Sequence, residues 1–493
     1  MVRSLHRPEH AVWDGLRQGA DAFGAALGAW ANPGLRLGVT GLSRAGKTVF
    51  ITGMVHALVA GGRLPGFAAM AEGRISGARL VPHPDDAVPR FAYEEHLARL
   101  TAPERDWPGS TRQISALRLD ITYQSRRSYG AGLFGPAGLM GGGLSRLALD
   151  IVDYPGEWLL DVPLLRKTYA QWSAETLAKA ETGVRKPLFA PFMAELAGID
   201  PAGNAAEAVT SALAQRFTAA LRACREEGRG LSALAPGRFL MPGDLEGAPV
   251  LTFAPLRLHA GAYAQTSLAA MMERRFEAYK ARVVKPFFTQ HFARLDRQIV
   301  LVDVLSALNG GAETLADLET ALADVLEAFK IGENSLLSSL FAPRISRILF
   351  AATKADHLHH TNHDRLEAIL RLLVRRAWHR AQGAGSRTQS LALAAIRATR
   401  EVVARQNGQD LPCIAGVPIA GEVLDGRVFD GTSEVALFPG DVPEDAARVF
   451  SGRGADLRFL RFRPPVLSLQ AGAGFPGIRL DRALDYLLGD RLT

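Results

Sequence analysis

The sequence predicts an α/β protein: a mostly parallel sheet flanked by helices, with a large helical insertion and a small β-rich C-terminal part. Three observations carry that prediction. A short apolar strand runs straight into a glycine-rich turn and a helix over residues 35–60. Strand-like runs at 298–304, 347–352 and 390–396 each adjoin a helical segment, and such alternation places strands in a parallel sheet covered on both faces. Between these two strand-rich stretches, residues 166–297 show mainly the 3.6-residue period of helices.

Taken in order, residues 1–33 read as an N-terminal helix, with Val12, Leu16, Phe23 and Leu27 near one face and a stop at Asn32-Pro33-Gly34. Leu35–Gly41 (LRLGVTG) is a strand, and the helix after the turn runs from Val49 to about Ala60. Residues 62–113 are rich in Pro, Gly and Asp and read as a long connection with short helices. Ser115–Tyr123 and Arg146–Asp153 alternate as strands do. The glycine-rich stretch 129–143 between them is too entropic to pack as an element, and stands either as a docking loop or as a tolerated insertion. Helices are expected at Ala206–Cys224 and Ser267–Phe287, with a Pro- and Gly-containing break at 235–262. Short apolar runs among Gly, Pro and Asp make 406–475 a β-rich appendage, and Leu480–Leu488 is a closing helix.

Composition bounds the function. Of 493 residues, 48% are hydrophobic and 22% charged, which excludes wholesale disorder. There is no uncharged apolar run of about 18 residues, so no membrane-spanning helix is expected. The N-terminal residues lack an apolar core followed by a cleavage site, so the expectation is a cytoplasmic protein. Two distant cysteines, Cys224 and Cys413, match no zinc or redox spacing and exclude a disulfide framework. The net charge of +7 rests on 49 arginines against eight lysines. It permits a membrane surface or nucleic acid as partner without requiring either. Scarcity of lysine also makes each lysine inside a motif hard to ascribe to chance.

Gly41–Thr48 (GLSRAGKT) fits G-x-x-x-x-G-K-[ST], and about 0.01 accidental matches are expected at these residue frequencies. The glycines let backbone N–H groups from Ser43, Arg44, Ala45, Gly46 and Val49 turn inward around phosphates at a helix N-terminus. Lys47 then reaches the β- and γ-phosphates and the Thr48 hydroxyl ligates Mg²⁺. Asp153–Gly156 (DYPG) ends a strand as D-x-x-G, with Asp153 on Mg²⁺ through water and the Gly156 N–H on the γ-phosphate. Thr353–Asp356 (TKAD) follows the strand at 347–352. A carboxylate at Asp356 accepts from the N1–H and N2–H₂ edge of guanine, a donor pair adenine lacks, and the Lys354 stem lies over the base. Chance supplies only about 0.03 such matches.

With these residues the chain resembles the TRAFAC-type, Ras-like P-loop GTPases, and more narrowly the YcjX family of bacterial stress-associated GTP-binding proteins. The resemblance rests on Val39–Thr48, Asp153–Trp158, Leu301–Leu305 with Leu308–Gly310, and Ala352–Asp356. It implies a GTPase domain at 34–165 and 298–405, split by a helical insertion at 166–297, with the C-terminal part at 406–493. It also implies a switch threonine just before the second strand, where Thr111 stands with Ser110 as the alternative. The glutamine that follows D-x-x-G in many relatives is replaced by Glu157, which acts as a general base or repels the γ-phosphate, so slow hydrolysis is expected. The S-A-K tripeptide of the guanine-side loop is absent, and Arg397-Ala398-Thr399 occupies its place. Arg44, in the phosphate loop, is either a built-in arginine finger or a cation pointing elsewhere.

Lys47, Glu157, Arg44 and Thr111 are thus the catalytic candidates, and Thr48, Thr111 and Asp153 the metal ligands. The reading is a Mg²⁺-dependent GTP-binding protein that switches through loops 105–113 and 153–160, binding GTP and GDP and an unidentified protein partner. An ATPase, or a nucleotide-locked adaptor with little hydrolysis, is the alternative. His359 and His363 fall at i, i+4 as a metal pair would, but read rather as solvated histidines. The basic amphipathic helix Arg365–Arg380 is expected to turn Leu366, Ile369, Leu370, Leu373 and Val374 toward the sheet.

Overall fold

Leu35, Leu37 and Val39 alternate along a seven-residue strand, and all three are buried beneath a helix. This strand, β1 (Leu35–Gly41), lies in the middle of a seven-stranded sheet in the computed structural model. The structure describes residues 34–42, 44–109, 111, 113–126, 144–226, 230–327, 345–406, 408–451, 457–467 and 474–493. The expected N-terminal helix, Ser43, Ser110 and the glycine-rich stretch 129–143 lie outside the described residues.

After β1 come α1 (Lys47–Val59), β2 (Ile75–Val81), α2 (Tyr93–Thr101), β3 (Ser115–Gln124) and β4 (Leu144–Asp153). The helical segment comes next, with α3 (Tyr169–Ala180), α4 (Arg185–Leu196), α5 (Glu207–Arg225) and α6 (Leu268–Tyr279). The chain then returns through β5 (Arg297–Val302), α7 (Val304–Asn309), α8 (Ala312–Glu327), β6 (Arg347–Ala352), α9 (His363–Leu373), α10 (Arg375–Gly383) and β7 (Arg387–Ala392). After these stand β8 (Arg400–Gln406) and β9 (Gln409–Gly416), which with Val435–Leu437 make a small antiparallel sheet, and last α11 (Leu480–Leu488). The main sheet runs β2-β3-β4-β1-β5-β6-β7, parallel from β4 to β7, with β2–β3 and β3–β4 antiparallel.

The central strands are apolar on both sides because both sides are covered. Ile299, Leu301, Leu349 and Ala351 face the cluster that holds α1 and α11. Val300, Val302, Ile348, Phe350 and Ala352 face the opposite cluster, which is continuous with the helical segment. Aromatic rings fill that second cluster: Trp172 lies 5.2 Å from Phe276 and 5.4 Å from Phe253, centroid to centroid. Each such ring fully removed from water contributes about 1.5–3 kcal/mol. The helices of 169–290 are therefore seated on the sheet by a shared core.

Several elements differ from the sequence expectation. The 62–113 connection contains β2, an edge strand that is half exposed and broken in register at Ile75/Gly77, so it lacks the alternation that would reveal it. The strand expected at 390–396 is Arg387–Ala392; its polar first half reads poorly as strand, and Ala394 instead bridges Ile478. The single helix expected at 365–380 is α9 and α10, parted at Val374, with its apolar stripe buried as expected. The helix from 267 continues through a π turn at Lys280–Val284 to Gln290, the wider turn falling just before Pro286, which lacks an N–H. The switch loop expected at 153–160 runs from Gly156 onward into Gly156–Arg166, a run of helical turns buried from Gly156 to Leu164.

Candidate functional site

β1 ends at Gly41 and the chain turns back at once, Ala45 N–H donating to the Leu42 carbonyl at 3.1 Å. Arg44 (φ 61°) and Gly46 (φ 82°) both take the left-handed conformation, which for a non-glycine residue is a cost kept mostly at functional turns. α1 then starts at Lys47, with the N–H groups of its first turn unpaired within the helix. The buried Lys47 Nζ donates to the Gly41 carbonyl at 2.8 Å. Two glycines permit the close packing here. A Cβ on Gly41 would lie 2.6 Å from the Leu301 carbonyl oxygen, and one on Gly156 would lie 2.3 Å from the Gly41 carbonyl oxygen.

Three oxygen-bearing side chains meet beside Lys47. The Thr48 and Thr111 hydroxyls are 3.5 Å apart, and Thr48 Oγ1 also donates to the Gly109 carbonyl at 3.3 Å. Thr111 Oγ1 donates to Asp153 Oδ2 at 2.7 Å, while Asp153 Oδ1 is buried without a hydrogen bond. Burial pushes the Asp153 carboxyl up to about 6; the Lys47 charge and the Thr111 hydroxyl oppose this, and the nearby Glu157 charge adds to it. Two hydroxyls and a carboxylate with an unfilled oxygen are hard donors that fit a small hard cation. Glu157 is buried, 3.1 Å from the Arg225 guanidinium at the end of α5. Arg44 bounds a cavity of about 710 Å³ together with Gln113, Arg222 and Arg225.

On the other side of the site, Thr353 N–H donates to the Val302 carbonyl at 2.9 Å, locking the end of β6 to β5. Lys354 adopts φ 59° and its ammonium reaches Asp303 at 2.6 Å. Ala398 N–H donates to Asp356 Oδ2 at 2.8 Å, and the Thr399 hydroxyl donates to the Asp356 carbonyl. The tertiary structure thus brings Asp356 against Arg397–Thr399, and a cavity of about 390 Å³ bounded by Arg105, Arg397, Arg400 and Arg463 opens there. His363 is neither solvated nor paired with His359. It is buried with Nε2 2.9 Å from the Ala355 carbonyl and 3.3 Å from that of Leu358, fastening the turn that carries Asp356, and burial lowers its basicity.

Sequence reasoning missed Asp303, Arg225 and the hold on the chain leading to Thr111. Trp107 Nε1 donates to the Phe462 carbonyl at 2.7 Å and Arg105 Nε to the Pro464 carbonyl at 2.6 Å. Backbone carbonyls on a distant segment leave no signature in side-chain patterns. Asp303, by contrast, caps α7 by accepting from Ser306 N–H at 3.0 Å, a role the strand–Asp–helix order does signal.

The family described as "YcjX-like family, DUF463" matches residues 35–492. A protein of Escherichia coli (strain K12) named "Ras-like GTPase YcjX" is 38% identical over 469 residues, covering 93% of this chain and 96% of its own. One of the same name from Shewanella oneidensis (strain MR-1) is 36% identical over 478 residues, covering 93% and 94%.

Proposed function

Because the chain belongs to the YcjX-like family, and its relatives carry the name Ras-like GTPase, we propose that it binds GTP and GDP with magnesium and hydrolyses GTP slowly as a nucleotide-controlled switch. The observation that carries this reading is the meeting of Thr48, Thr111 and Asp153 beside the Lys47 ammonium, from three segments distant in sequence. Lys47, now on the Gly41 carbonyl, turns to the β- and γ-phosphates, and the N–H groups of Arg44 to Val49 surround them. Thr48, Thr111 and Asp153 would hold the magnesium, which when bound would supply charge neutralisation for phosphoryl transfer. The Gly156 N–H senses the γ-phosphate, and its loss releases the contacts of Thr111 and Gly156.

Guanine is read by Asp356, with Lys354 along the base and the Arg397–Thr399 loop closing behind it. Among the described residues no helix is long and apolar enough to cross a membrane. A second reading, a nucleotide-locked adaptor with little hydrolysis, is favoured by a charged Glu157 where a water-orienting glutamine is common. Titration of mant-GTP, mant-GDP and mant-ATP with Mg²⁺ against the wild type and Asp356→Asn tests the leading reading. A guanine preference that disappears in the variant is the expected result. Equal ATP affinity, untouched by the substitution, overturns it in favour of an ATPase. A single-turnover GTP hydrolysis rate that collapses in Lys47→Ala removes the adaptor.

A further inference from the structure

A carboxylate taken out of water must be paired or it is costly, and Glu157 is 4% exposed with no hydrogen bond on either oxygen. Its cation comes from the helical segment: Arg225, the last residue of α5, sits 3.1 Å from Glu157 Oε1 as an ion pair rather than an aligned hydrogen bond. The backbone of Glu157 is held from the same side. A Cβ on Gly237 would lie 2.0 Å from the Glu157 carbonyl oxygen. Gly237 is fixed in turn by Asp161, which accepts from Gly237 N–H at 2.7 Å, from Arg238 N–H at 3.3 Å and from the Tyr279 hydroxyl. Both ends of this residue are therefore placed by the inserted helices, while its neighbour Gly156 abuts the phosphate loop.

The Glu157 oxygens retain unfilled hydrogen-bonding capacity, and its partner Arg225 also bounds the cavity of about 710 Å³ shared with Arg44, Gln113 and Arg222, which is large enough for several waters. An acceptor in that position suits a water aimed at the phosphate end of the site. Its negative charge does not, because it repels the γ-phosphate and Asp153 alike. The Arg225 guanidinium, 3.1 Å from the carboxylate, offsets that repulsion and restrains it.

We propose that Arg225 is a positioning residue for GTP hydrolysis, acting through Glu157. This rests on the GTPase reading above. In the step it serves, the water oxygen bonds to the γ-phosphorus as the bond from that phosphorus to the β–γ bridging oxygen breaks. The proton of the water passes to the Glu157 carboxylate and from there to the inorganic phosphate released with GDP. Arg225 holds the carboxylate in line with the water and makes no contact with the reacting atoms. The helical segment thereby becomes part of the hydrolytic apparatus, and movement of α5 changes the rate.

The test uses the full chain, measuring mant-GTP affinity and the single-turnover rate for the wild type, Arg225→Gln, Arg225→Lys, Glu157→Gln and the double variants. The expected result for Arg225→Gln is a rate about 10- to 100-fold lower with mant-GTP affinity changed less than about twofold. Arg225→Lys regains most of the loss. In the Glu157→Gln background neither change at 225 has any further effect, since a neutral amide needs no cation. Equal losses in both backgrounds, an unchanged rate, or a loss of affinity that parallels the loss of rate overturns the proposal. Should Arg225→Gln not fold, Arg225→Lys carries the same cycle, its smaller loss having to vanish beside Glu157→Gln. A wild type with no guanine-selective binding fails the GTPase reading itself, and that shows before any variant is compared.

Discussion

Alanine at position 156 would put a methyl carbon 2.3 Å from the Gly41 carbonyl oxygen, 2.7 Å from the Gly41 carbonyl carbon and 3.2 Å from the Leu42 nitrogen. Real Cβ atoms essentially never approach other heavy atoms within 3.0 Å, so the two segments must part by about 0.7 Å. All three neighbours are backbone, at the point where β1 becomes the phosphate loop, so no side chain can rotate away. Overpacking of this kind costs about 1–3 kcal/mol of stability. A displacement approaching 1 Å beneath the phosphates also weakens nucleotide binding by about tenfold or more, for mant-GDP as well as mant-GTP. Urea unfolding monitored by fluorescence gives the first quantity and mant-nucleotide titration the second. Gly77→Ala on the exposed edge strand, with nothing within 4 Å of its added methyl, is the control and should stay within about 0.5 kcal/mol of the wild type. If Gly156→Ala matches Gly77→Ala in both measurements, the close approach of Gly156 to Gly41 is not a feature of the folded protein.

Thr111→Val keeps the shape of the side chain but removes the donor to Asp153 Oδ2 and the oxygen beside Thr48. Loss of a hydrogen bond to a charged group, about 1.5–3 kcal/mol, should weaken Mg²⁺-dependent mant-GTP binding tenfold or more while sparing mant-GDP; equal effects on both nucleotides would contradict a γ-phosphate-linked role. The third prediction concerns pH. Burial holds the Asp161 carboxyl up at about 6, above its ordinary 3.8, so the folded protein favours the protonated form. That group's contribution to stability is present below pH 4 and is lost as pH rises through about 6, by about 3 kcal/mol at most. Asp161→Asn should flatten the fall in urea midpoint across this window, and an unaltered slope would show that another group is responsible.

Local chemistry alone specifies much of this protein. Leu35–Gly41, Arg347–Ala352 and Leu480–Leu488 have the bounds their apolar patterns indicate, and the strand–GLSRAGKT–helix unit is a short-range consequence of two glycines and a helix start. Such features need only neighbours in the chain, so the sequence displays them. β2 was illegible because an exposed edge strand pairs on one side only and need not alternate. The motif residues could be named, but not their meeting: Thr111 beside Thr48 and Asp153 depends on β3, β4 and β1 being neighbours, and Ala398 against Asp356 depends on the path of the chain beyond β7. Tertiary structure also decided the surroundings of the D-x-x-G turn. Read as a loop, it is buried under helices inserted after it, with the Glu157 charge answered by Arg225 and its backbone by Gly237. The physical reason is that an ion pair or a steric fit between distant segments is specified by two surfaces jointly, and neither segment carries a periodicity or spacing that announces the other.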